Sequence, residues 1–346
     1  MGNGKSIGII AGATSILASY VIFYVLYIGK NIILPLIVSI FLIILFTSSY
    51  RFFFSHIKNK FFSVLITLLA FSLFFLLVFF IINSQINNFI EEIPRYKDVF
   101  LKFAKYINTI PGIDMTSFSF EKIIAQIDFG SFAYFFTGSV TSIVGTIGTI
   151  FFYVIFLLAE MKYFKSKLSD ILVDKERKRF YNIVLQINQD ISSYFLLKFF
   201  TAFVNGALSF TILTFFGVDF ALFFAFLVFL LDFIPNIGGL FAILIPFLYC
   251  FLQFDALYIP FLVLLCLITQ QTLMGNFIEP RLMGDRLNIS PFVIIFSLIF
   301  WGTLWGIAGA FLAVPLMTML NIIFSKFKTT RPLAIFISQK GEIKKK

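Results

Sequence analysis

The 346-residue sequence has little of what catalysis normally uses. It contains one histidine and two cysteines, and only 13% of its residues are charged. The histidine, His56, lies among Arg51, Lys58 and Lys60, a setting that suits a solvated basic loop better than general-base chemistry. Cys250 and Cys266 each fall inside an apolar run, which excludes a disulfide-stapled secreted domain and reads as two small core residues. Neither a metal-ligand cluster nor a nucleophile motif is present. Gly4-Lys5-Ser6 looks like the end of a phosphate-binding loop but lacks the glycine five positions upstream. No catalytic residues, metal or cofactor are expected, and an enzyme is not.

What is abundant is hydrocarbon. The sequence is 60% hydrophobic and 20% aromatic, against about 45–50% apolar and about 25% charged in soluble domains. A water-soluble globule of this composition would lack the polar side chains to cover its surface. The 53 phenylalanines, with 20 lysines against 7 arginines, fit an AT-rich coding sequence. Phenylalanine clusters therefore read as apolar surface and not as aromatic binding boxes. The net charge of +10 calls for an account of position, because Lys and Arg gather on cytoplasmic loops.

A transmembrane helix needs about 20 apolar residues, and the chain supplies several such runs. Residues 1–83 hold three, near 7–28, 32–48 and 61–82, with a basic connection around Arg51–Lys60. Residues 84–138 break the pattern with charges of both signs, and Tyr96, Val99, Phe100, Phe103, Ile107 and Ile110 recur at helical spacing. That segment reads as a small extracytoplasmic helical insert. A fourth span covers 139–160. Residues 161–192 are basic and carry the stripe Phe180, Ile183, Val184, Ile187 and Ile191, suggesting a helix along the inner membrane face. Residues 193–325 form a carboxy-terminal membrane core, and 326–346 a basic tail. The expected architecture is all-α and polytopic, with about eight helical segments, both termini cytoplasmic and the lipid bilayer as partner. The charge then reports topology, and no nucleic-acid partner is implied.

Polar residues at membrane depth are expensive and so mark candidate sites. Lys198 and Asn205 fall within the fifth span, where Lys198 is close enough to the cytoplasmic end to snorkel. The run 218–252 is interrupted by Asp232-Phe233-Ile234-Pro235-Asn236-Ile237-Gly238-Gly239, which cannot continue a regular helix. Its flanking pieces are short, so the run is either a re-entrant hairpin or two crossings. Asp232, Pro235, Asn236, Gly238 and Gly239 would line a path if the break is buried, or form a capped cytoplasmic turn if it is not.

A second group comprises Gln270, Gln271, Asn276, Glu279, Pro280 and Arg281. The glutamines can hydrogen-bond across helices. Pro280 is expected to hold its stretch out of helix, and Glu279 with Arg281 to form an internal gating pair or a surface tether. The third group is Trp301-Gly302-Thr303-Leu304-Trp305-Gly306 with Gly309. Gly302, Gly306 and Ala310 suggest a small-residue packing face, and the tryptophans suggest interfacial anchors. The surrounding run, 289–324, is too long for one ordinary span and reads as a broken helix or a hairpin.

Taken in order, these motifs resemble the autoinducer-2 exporter family of permeases. The residues that carry the resemblance are Asp232–Gly239, the Glu-Pro-Arg-Leu-Met-Gly core within Gly275–Gly284, Leu287-Asn288-Ile289-Ser290-Pro291, Trp301–Gly306 and Phe311-Leu312-Ala313-Val314-Pro315. The resemblance implies a multi-pass transporter of a bacterial cell membrane, oligomeric, with members linked to export of the quorum-sensing signal autoinducer-2 and some to sodium–proton antiport. Export of a small polar solute, cation–proton antiport through Asp232 or Glu279, and a non-transporting scaffold are the readings the sequence leaves open.

Overall fold

The computed structural model describes residues 14, 17, 18, 20–92, 129–284, 288–339 and 341. Most of the first expected span's amino-terminal half, residues 93–128 of the expected insert, and Asp285, Arg286 and Leu287 lie outside the described residues. Every regular element among the described residues is helical. In chain order these are α1 (Lys30–Ile57), α2 (Lys60–Glu92), α3 (Phe129–Ile171), α4 (Asp174–Phe215), α5 (Ala221–Leu231), α6 (Ile237–Gln253), α7 (Tyr258–Thr272), a π-helical turn (Leu273–Ile278), α8 (Glu279–Met283), α9 (Pro291–Lys326) and α10 (Arg331–Ile337). By length and composition five stretches can cross a bilayer: Lys30–Ile57, Lys60–Val78, Asp174–Phe215, Tyr258–Met283 and Pro291–Lys326. The chain is an all-α, multi-pass membrane protein.

Several helices run past their expected ends. The expected boundary at 192/193 falls inside α4, which carries the basic residues from Lys175 to Arg179 and the apolar stripe into the span as one continuous helix. Glu176 and Arg177 donate their backbone N–H groups to Val173, so α4 begins at a tight turn after α3. The described chain forms two compact units. One comprises Met1–Ile44, Thr146–Leu185 and Ile289–Lys346, and the other Leu45–Gly145 and Gln186–Asn288.

In the first unit the 36-residue α9 is not straight. Gly306 has φ 66° and ψ −147°, a conformation open essentially to glycine alone. Ser297 Oγ donates to the Ala313 carbonyl at 3.1 Å, whereas residues 16 apart on a straight helix are about 24 Å apart. The two limbs of α9 are therefore folded back on each other at Gly306, so the 289–324 run is a helical hairpin. Gly306 is its turn and not part of a packing face. Gly309 permits the close approach, since a Cβ there would lie 1.9 Å from the Trp301 carbonyl oxygen. Trp301 and Trp305 are buried, with ring centroids 4.8 Å apart, and Trp305 Nε1 donates to Leu26 at 3.1 Å. Close limb-on-limb packing thus takes the tryptophans into the interior, where interfacial anchors were expected. The base of the hairpin is closed by α10, whose Ile337 carbonyl accepts from Ser290 N at 2.9 Å.

The second unit contains another hairpin. α5 has 11 residues, about 16 Å of helix against a hydrocarbon core of about 30 Å, too short to cross. α6 runs antiparallel to it: Gly238 meets the Leu231 carbonyl at one end, while the rings of Phe224 and Tyr249 lie 4.8 Å apart at the other. A Cβ on Gly238 would sit 1.8 Å from that carbonyl oxygen. Of the two arrangements that the sequence leaves open for 218–252, this geometry is that of the hairpin. Leu213, Val218, Phe224, Tyr249, Cys250, Val263 and Leu267 form the apolar core joining α4 to the hairpin and α7.

Candidate functional site

The second unit buries an unusual amount of polarity, and α4 delivers most of it. Lys198, Thr201, Asn205 and Ser209 are each no more than 4% exposed. Their spacing of three, four and four residues places them on one helix face. In hydrocarbon such a stripe persists only if each group finds a partner.

The Thr201 hydroxyl donates back to the Lys198 carbonyl at 3.1 Å, and the partners of the other three come from the break after α5 and from α7 and α8. Lys198 Nζ donates to Glu279 Oε1 at 2.6 Å and lies 3.1 Å from Asp232 Oδ2, a distance that makes an ion pair without the alignment of a hydrogen bond. The other Asp232 oxygen accepts from Asn205 Nδ2 at 3.0 Å, and the same amide nitrogen donates to Gln271 Oε1 at 2.9 Å. Gln270 Nε2 approaches Asn205 O, Asn205 Oδ1 and Ser209 Oγ, each at 2.7 Å. A continuous polar chain therefore runs Glu279–Lys198–Asp232–Asn205–Gln270–Ser209, with Gln271 as a branch.

Local backbone chemistry places each member. α5 ends at Asp232, and Asn236, with φ 60°, redirects the chain into α6. α5 approaches α4 closely at Gly206, where a Cβ would lie 3.0 Å from the Ala225 carbonyl oxygen. Gly239 makes room for Gln271, whose Nε2 would lie 2.6 Å from a Cβ there. Pro280 does not hold its stretch out of helix. It occupies the first turn of α8, where its missing N–H is tolerated, and the preceding turn widens into a π-helix in which Glu279 N–H donates to Met274 O. That widening relieves the clash between a proline ring and the carbonyl four residues earlier.

Asp232, Gln270, Gln271 and Glu279 are thus brought together, with Gly238 and Gly239 buried beside them. Pro235 is half-buried in the break, whereas Asn236, Asn276, Pro280 and Arg281 are exposed. The expected Glu279–Arg281 pair is replaced by Glu279–Lys198, because residues two apart on a helix point to different sides. Lys198 does not snorkel to water. It is 4% exposed and bridges two carboxylates. Thr201 and Ser209 belong to no motif in the sequence, and the signal that points to them is their spacing with Lys198 and Asn205. Gly302, Gly306, Gly309, Trp301 and Trp305 belong to the α9 hairpin of the other unit. Among the described residues no group of His, Cys, Asp and Glu is arranged to hold a metal.

Residues 16–329 match the family model described as "AI-2E family transporter". The chain belongs to this family. Related proteins of Borreliella burgdorferi (30% identical, covering 71% of this chain and 68% of the relative) and Haemophilus influenzae (27%, covering 91% and 92%) are each named as a candidate transport protein. The protein named "AI-2 transport protein TqsA" of Escherichia coli K12 is 27% identical, covering 80% of each chain. This AI-2E family member is a membrane transporter, and its buried polar chain is the feature of the second unit that an inert hydrophobic bundle would not need.

Proposed function

We propose that this transporter exports a small, uncharged, hydrogen-bonding solute, with autoinducer-2 as the leading candidate. The observation carrying this reading is the chain of carboxamide, hydroxyl and ion-paired groups from Glu279 to Ser209 within apolar helices. Autoinducer-2 is a small hydroxylated molecule without strong charge, and amides exchange hydrogen bonds with hydroxyls at little net cost. The name of the Escherichia coli relative supports the same substrate. The reading places the protein in the inner membrane with both termini cytoplasmic, as a homo-oligomer. It is tested by comparing extracellular autoinducer-2 from cells with and without the gene. Equal accumulation in the two media contradicts it.

A second reading, sodium– or lithium–proton exchange, is favoured by one observation. Two carboxylates share a single ammonium, which leaves the Lys198–Asp232–Glu279 group formally one negative charge in excess. A proton or an alkali cation would balance it. Proteoliposomes holding a pH-sensitive dye separate the readings: sodium or lithium dissipates an imposed pH gradient under exchange, and Asp232→Asn or Glu279→Gln abolishes the effect.

A further inference from the structure

α7 buries one face, and the chain beyond it departs from the spacing of that face. Val263, Leu267, Gln270 and Met274 are each no more than 7% exposed, and they recur at intervals of four, three and four, as one side of an α-helix does. At about 100° per residue, the next inward position after Met274 is Ile278, about 40° from it, whereas Glu279 falls about 140° away and faces outward. The structure has the reverse. Ile278 is 42% exposed, while the Glu279 side chain is 22% exposed and meets Lys198 Nζ at 2.6 Å.

The difference is one residue, and the π-helical turn Leu273–Ile278 supplies it. Its bond from Glu279 N–H to Met274 O spans five residues where an α-helix spans four. The extra residue carries Glu279 round to the inward side. Turns of this kind are rare, so this one needs a cause, and Pro280 provides it. In an unbroken α-helix the proline ring would strike the carbonyl of Asn276, four residues earlier. Gly275, inside the turn, has nothing within 4 Å of a Cβ, so no close contact requires a residue there.

We propose that Pro280, itself exposed, is a positioning residue for the polar chain: it holds the π turn, and the π turn decides which side chain stands beside Lys198. With the proline that side chain is the Glu279 carboxylate. Without it the turn relaxes to α-helix, Ile278 takes the inward place, and Lys198 is left with Asp232 alone. The consequence for transport rests on reading the polar chain as the solute path; the pairing does not.

A double-mutant cycle on protein in detergent reads the pairing. In the otherwise unchanged chain, Lys198→Met and Glu279→Gln are expected to shift the unfolding midpoint non-additively, because removing the second partner relieves the charge that loss of the first leaves bare. In a Pro280→Ala background, Glu279→Gln is expected to shift the midpoint equally with Lys198 present or replaced by Met. Deleting Gly275 from the Pro280→Ala chain takes out the extra residue and returns Glu279 to the inward face of a regular α-helix. That deletion is expected to restore both the coupling and any solute flux lost with the proline. A proline that merely braced its own turn would not be rescued by shortening the helix. Additive effects in the unchanged chain, coupling that survives Pro280→Ala, or a deletion that fails to restore it would each overturn the proposal. If Pro280→Ala alone does not accumulate, the deletion variant decides: coupling there supports the register, and additive effects or failure to fold overturn it. Unchanged protein that moves no solute would refute the transport reading and leave the result for Pro280 intact.

Discussion

Lys198 and Glu279, 81 residues apart, meet at 2.6 Å with the lysine 4% exposed. Removing one partner of a buried ion pair costs about 3–5 kcal/mol, because the other charge is left uncompensated. Lys198→Met is therefore expected to lower the unfolding midpoint sharply in detergent. The charge-free triple variant Lys198→Met, Asp232→Asn, Glu279→Gln is expected to regain most of that loss. A single variant as stable as wild type would show that the bridge contributes nothing.

Neighbouring charges on α8 should behave oppositely. Arg281 is exposed and Glu279 faces Lys198, so Arg281→Gln is expected to change stability by no more than about 0.5 kcal/mol, as exposed charges usually do. Glu279→Gln, which keeps the shape and removes the charge, is expected to cost more and to impair transport. Thermal unfolding and flux on the same two variants check this.

The hairpin in α9 makes a geometric prediction. A Cβ on Gly302 would lie 3.8 Å from the Ala310 Cβ, inside the Cβ separation of about 3.5–4.5 Å that a disulfide requires. On a straight helix these residues would be about 12 Å apart. In a background of Cys250→Ser and Cys266→Ser, Gly302→Cys with Ala310→Cys is expected to form an intrachain disulfide on oxidation, visible as protection from maleimide labelling. Persistent free thiols would mean that the limbs do not fold back.

Glycine substitutions should divide by what surrounds them. Gly238→Ala and Gly309→Ala would drive a methyl group into carbonyl oxygens at 1.8 and 1.9 Å, and are expected to abolish accumulation of folded protein. Gly306→Ala meets nothing within 4 Å but holds a conformation that costs another residue about 1–3 kcal/mol. Gly145→Ala and Gly148→Ala, with open space at both positions, should be silent. Yields of monodisperse protein in detergent check the order.

The helical class and most spans were legible because hydrocarbon runs of spanning length have few alternative readings. The break at Asp232–Gly239 was legible from Pro235 and the paired glycines. What the sequence hid was partnership. Lys198 read as a snorkelling residue because its nearest water is close along the chain, while its two carboxylates lie 34 and 81 residues downstream. Proximity in sequence pairs Glu279 with Arg281, whereas the helix sends the two side chains apart. Gly306 read as part of a packing face because a single positive φ leaves no trace in residue spacing. Tertiary contacts decide each of these, and no local pattern carries them.

Purified protein reconstituted into vesicles loaded with autoinducer-2 decides whether the buried polar chain carries solute. Solute is expected to leave these vesicles faster than protein-free ones, and Asn205→Leu, which cuts the polar chain at its middle, is expected to reduce the rate at least tenfold while the protein remains folded. Release from wild-type proteoliposomes no faster than from empty lipid, or undiminished release through Asn205→Leu, would contradict it.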